Sequence, residues 1–104
     1  MRQRELIIDR VTARCGCEYE WGVHLAFFGD RVGLTAEQTR SLTEGTPNDA
    51  CWPADEAVLI RAVDELHERA DVTDATYSVL EQILTPEHIL DLLFLVGWYH
   101  AIST

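Results

Sequence analysis

Apolar residues recur along most of the chain at intervals of three and four, the spacing that lines one face of an α-helix, with turn residues between the periodic segments. A first helix is predicted from about Arg2 to Ala13, with Leu6, Ile7 and Val11 on overlapping faces and Gly16 as its break. The β-branched pair Ile7-Ile8 leaves a strand reading open here. A second helix runs from about Cys17 to Phe28, with Trp21, His24, Leu25 and Phe28 at helical spacing before Gly29. Thr35-Ala36-Glu37-Gln38 has the form of a capping box and opens a short helix that ends near Glu44, with Gly45 as its stop. Thr46 to Trp52 is a loop, and Pro53 is placed to start the next helix, whose stripe of Leu59, Ala62, Val63 and Leu66 extends to about Arg69. Thr73 is a second N-cap, ahead of Tyr77, Leu80 and Leu84. Thr85-Pro86-Glu87 combines a cap, a first-turn proline and an acid at the positive end of the helix dipole. The last helix, to about Ile102, is apolar almost all round and needs neighbours on every side.

These segments define an all-α, compact, single-domain bundle of about six helices spanning residues 1–104. A chain this short buries only roughly two-thirds of the surface its unfolded form exposes. The closing helix is therefore expected to meet a second copy of the chain as well as its own core.

Composition narrows the partners. Apolar residues make up 47% and charged residues 25%, enough for a core and too ordered a mixture for a disordered chain. The net charge is −10 and the pI near 4.6, which argues against nucleic acid and anionic membrane surfaces as partners. All the positive charge is arginine; four of the eight, Arg2, Arg4, Arg10 and Arg14, sit near the start, where any anion-attracting surface would be sought. The absence of a signal-like stretch makes the cytoplasm the expected location, and the longest apolar run is broken by Asp91 and His100. Three cysteines do not form a secreted disulfide framework.

The candidate chemistry lies in Cys15-Gly-Cys17-Glu18-Tyr19-Glu20-Trp21-Gly22-Val23-His24. At about 100° per residue, Cys17, Glu20, Trp21, His24 and Phe28 share one stripe of a helix. Glu20 and His24 stand at the i, i+4 spacing that lets a carboxylate orient an imidazole. A first-turn position favours a Cys17 thiolate, whereas Glu18 and Glu20 oppose it. The same residues also fit an ordinary helix-surface pair and a small buried cysteine. Cys15, Cys17 and His24 match no common zinc spacing, so neither a metal nor a cofactor is expected. His67 and His88 read as solvated surface, Cys51 as a loop thiol, and His100 as a packing residue within reach of a shared pocket.

With Glu5 twelve residues before Cys17, and with Arg61-Ala-Val-Asp-Glu-Leu-His67 and Leu95-Val-Gly-Trp-Tyr-His100 further on, the chain resembles the carboxymuconolactone decarboxylase family, whose relatives include the alkylhydroperoxidase D-like proteins. The resemblance implies a site of Glu5, Cys17, Glu20 and His24, with Glu20 where redox members carry a second cysteine. It implies proton-transfer chemistry on a small carbonyl or lactone compound. The alternatives are peroxide reduction through Cys17, with Cys15, Cys51 or an external thiol resolving, and a non-catalytic companion subunit. It also implies a trimer or hexamer, and a chain that lacks the N-terminal helices common in relatives.

Overall fold

In the computed structural model, residues 2–16 and 32–102 are described, and they form five helices with no strand among them. The helices are α1 (Arg2–Arg14), α2 (Ala36–Glu44), α3 (Ala54–Arg69), α4 (Asp74–Ile83) and α5 (Pro86–Ile102). The expected helix over 17–28, with Cys17, Glu20 and His24, lies outside the described residues. Ile7-Ile8 is helical, which closes the strand reading.

Helix boundaries follow from capping chemistry. The Thr35 hydroxyl accepts from the Gln38 amide, and the Gln38 side chain accepts from the Thr35 amide, so two otherwise orphaned donors of α2 are satisfied. Thr73 accepts from the Thr76 amide at the start of α4, and Thr85 accepts from the His88 amide ahead of Pro86 at the start of α5. Pro53 departs from expectation by one position: it is the N-cap of α3 rather than its first helical residue, and its side chain makes no capping bond. Ala70 ends α3 in the left-handed region at φ 57°, a conformation usually left to glycine.

α1 is the central element: every residue from Glu5 to Thr12 is buried. Its Ile7, Ile8 and Val11 meet Val58, Leu59, Ala62 and Val63 of α3, Leu80 of α4, and Ile89, Leu92, Leu95 and Val96 of α5 in the main core. Leu6 joins Leu42, Trp52 and Ile60 in a second cluster beneath α2. Each fully buried Leu or Ile of this kind contributes about 1.5–3 kcal/mol.

α1 and α3 run parallel. Arg2 pairs with Glu56, Arg10 with Asp64 and Arg14 with Glu68, each pair 54 residues apart, so both helices advance together. Three of the four early arginines, where any anion-attracting surface would be sought, are thus committed to carboxylates of α3. Arg4 remains exposed.

The closing helix is not surrounded by the described residues. Ile89, Leu92, Leu95 and Val96 face the core, whereas Leu90, Phe94 and Trp98 are 66%, 71% and 55% exposed.

Candidate functional site

Of the four residues expected to form the site, Glu5 is described, and Cys17, Glu20 and His24 lie outside the described residues. Glu5 sits in the first turns of α1 and is buried. At about 100° per residue, Glu5, Asp9 and Thr12 occupy one arc of α1, between the arcs that carry Leu6 and Ile8. A helix face that buries two carboxyls and a hydroxyl departs from ordinary core composition, because burying a charge is costly unless it is paired.

Asp9 is fully buried, and the carboxyl it meets is that of Glu5 one turn back on α1. Burial first, then the approach of the Glu5 carboxyl one turn back, push the Asp9 carboxyl up to about 9. Burial and the neighbouring carboxyl thus favour a proton held on the Glu5–Asp9 pair at neutral pH. Thr12 gives its hydroxyl proton back to the helix, to the carbonyls of Ile8 and Asp9. The sequence reading missed Asp9, although its i, i+4 spacing from Glu5 was a readable signal.

The next residue, Arg10, faces another way. Its Nε and Nη2 donate to the two oxygens of Asp64 at 2.7 and 2.8 Å, Nη1 donates to the Ser41 and Leu42 carbonyls, and Nη2 also donates to the Gly45 carbonyl. Arg10 thus closes the C-terminal end of α2, sharing the Ser41 carbonyl with the Gly45 amide and adding bonds to the Leu42 and Gly45 carbonyls.

A second group of reactive side chains gathers at the other end of α1. Cys15 follows the helix, its amide donating to the Val11 carbonyl, and carries a thiol rather than a disulfide. Its sulfur is 4.0 Å from His67 Nδ1, and the His67 and His100 rings have centroids 5.5 Å apart at a tilt of 55°. His67 is half-buried, not the solvated surface residue expected. Its pKa is lowered by burial, then by the positive charge of Arg14 and of His100. His88 is exposed, as expected, and lines an open groove with Arg4, Asp91 and Phe94. Cys51 is half-buried against the second cluster, and its carbonyl accepts from the Gln38 side chain.

No known family, curated protein or solved structure matches the chain. No described helix is long and apolar enough to cross a membrane.

Proposed function

We propose that the chain is an enzyme of the carboxymuconolactone decarboxylase-like kind, carrying out proton transfer on a small carbonyl or lactone compound. The observation that carries this reading is the buried pair of Glu5 and Asp9 on α1, with a proton held on the pair by burial and by the approach of the two carboxyls. A buried carboxyl that holds a proton near neutral pH is the equipment of general acid–base catalysis. In this reading His24 exchanges the proton with the substrate, Glu5 and Glu20 orient it, Asp9 serves as the proton reservoir behind Glu5, and Cys17 donates a hydrogen bond or acts as nucleophile. The commitment of Arg2, Arg10 and Arg14 to α3 favours an uncharged substrate over a dianion.

The test is exchange of solvent deuterium into the carbon next to the carbonyl, followed by mass spectrometry over a panel of small lactones and ketones. Exchange should fall by about 100-fold or more in Glu5→Gln and in His24→Gln. No exchange with the unaltered chain, or exchange that survives both substitutions, would overturn the proposal. Peroxide reduction through Cys17 is the second reading. It needs Cys15, Cys51 or an external thiol to resolve the oxidised Cys17, and a bridge from Cys17 to Cys15 across one residue is strained. Consumption of hydroperoxide that stops in Cys17→Ser would select it.

A further inference from the structure

We propose that Cys15, His67 and His100 bind one divalent cation of the zinc class, with the fourth coordination position open to the groove between α3 and α5. One ligand atom from each of the three side chains lies within 4.8 Å of the other two. In a tetrahedral site with Zn–S near 2.3 Å and Zn–N near 2.0–2.1 Å, a sulfur and a nitrogen stand about 3.5 Å apart. The 4.0 Å between Cys15 Sγ and His67 Nδ1 would close by about 0.5 Å for the two to share a metal, with the remaining separations of up to 4.8 Å closing further. The tilt of the two imidazoles leaves them unstacked, so both can present a nitrogen to one point.

The surroundings select a cation. Cys15 follows the C-terminal end of α1, His67 stands in the last turn of α3, and His100 in the last turn of α5. Three helix C-termini, each equivalent to roughly half a negative charge, meet at one place. A bare thiolate is disfavoured there, and a metal-bound one is not. One thiolate with two neutral imidazoles is a donor set suited to zinc and poorly suited to magnesium or calcium, which take oxygen ligands.

Three protein ligands leave a fourth position free. His67 and His100 line a groove of about 360 Å³ whose other walls include Leu66, Ala70, Leu93 and Val96. A water or a small carbonyl compound entering from this side would meet the metal within largely apolar walls, the arrangement in which zinc polarises its ligand.

Cobalt titration of the chelator-treated full chain tests the site. One equivalent of Co²⁺ per chain should give a thiolate-to-cobalt charge-transfer band and d–d bands of tetrahedral intensity. Cys15→Ser should abolish the charge-transfer band, and Cys51→Ser should leave it intact. His67→Gln and His100→Gln should each weaken cobalt binding by about 100-fold or more. No charge-transfer band with the unaltered chain, or one that survives Cys15→Ser, would overturn the proposal. A measurement without substitution covers variants that fail to fold. Added Zn²⁺ should slow alkylation of Cys15 by about tenfold or more, as read by peptide mapping, and leave Cys51 unchanged; equal rates with and without zinc at Cys15 would also overturn it.

Discussion

Arg10 of α1 and Asp64 of α3 form a two-pronged ion pair in which both carboxylate oxygens and two guanidinium nitrogens take part, at 2.7 and 2.8 Å. The other three N–H groups of Arg10 go to the Ser41, Leu42 and Gly45 carbonyls, so all five donors are used and one buried side chain ties three elements together.

Removing Arg10 takes away a bidentate partner of Asp64 and the donors to three carbonyls, and Arg14, 3.7 Å from Asp64, replaces only part of this, at a cost of about 3–5 kcal/mol. Arg10→Met should therefore lower the urea midpoint by that free energy with an unchanged slope. Arg10→Lys should recover little, because an ammonium cannot span Asp64 and three carbonyls. By contrast, Arg14→Ala should cost about 1 kcal/mol or less, since the Arg14–Glu68 pair is exposed. Equal losses in Arg10→Met and Arg14→Ala would contradict the assignment.

Asp9 gives the chain a predicted pH dependence. Its folded pKa of about 9 lies above the unfolded carboxyl value near 3.9, so the folded state binds more protons than the unfolded state between those values. The associated stability is fully present below the unfolded pKa and is lost as pH rises through the folded one. From about pH 5 to 8 this single group should lower stability by up to about 1.4 kcal/mol per pH unit. Asp9→Asn should flatten that slope in denaturant unfolding followed at several pH values, whatever it does to the absolute stability. A slope unchanged in Asp9→Asn would show that Asp9 is already ionised at neutral pH.

What the sequence revealed and what it concealed divide along the range of the interactions. The Thr35–Gln38 capping box, the Thr73 cap and the Thr85-Pro86 start are local, spanning at most three residues, and each was legible before the fold was known. The arginine ladder was visible only as four early positive charges, the place to look for an anion-attracting surface. Its carboxylate partners lie 54 residues away, a separation set by the parallel packing of α1 and α3. The gathering of Cys15, His67 and His100 was hidden for the same reason, since the three residues belong to different helix ends. Glu5 is singled out only by the resemblance to the carboxymuconolactone decarboxylase family, not by the pattern of its neighbours. The i, i+4 spacing of Asp9 from Glu5 is local and readable, whereas the burial of that face of α1 depends on the packing of the whole chain.

Two backbone positions should respond in opposite directions. A β-carbon on Gly45 would stand 2.0 Å from Asp49 Oδ2, 2.8 Å from Ser41 Oγ and 2.9 Å from Ser41 Cα. The last of these is backbone and cannot swing away, so Gly45→Ala should destabilise by about 1–3 kcal/mol. Ala70 holds φ at 57°, where its β-carbon is strained, and Ala70→Gly should stabilise by about 0.5–1 kcal/mol. Thermal unfolding of the two variants checks both signs.

The exposed face of α5 sets the last expectation, that the chain associates with copies of itself. Leu90, Phe94 and Trp98 follow one another at intervals of four, so they form a continuous stripe about 12 Å long on one side of the helix. The Phe94 and Trp98 rings stack at 6.5 Å, which gives the stripe a flat aromatic centre suited to burial against the same surface of a second chain. Repulsion between chains of charge −10 opposes association, so raising the salt concentration should strengthen it. Light scattering at micromolar concentration should give a mass at least twice 11.8 kDa. Phe94→Asp should shift that mass to the monomer and leave the helical circular dichroism unchanged, because Phe94 is outside both buried clusters. A native chain that scatters as a monomer at high salt would remove the self-association, and an assembly that survives Phe94→Asp would move the contact to another face.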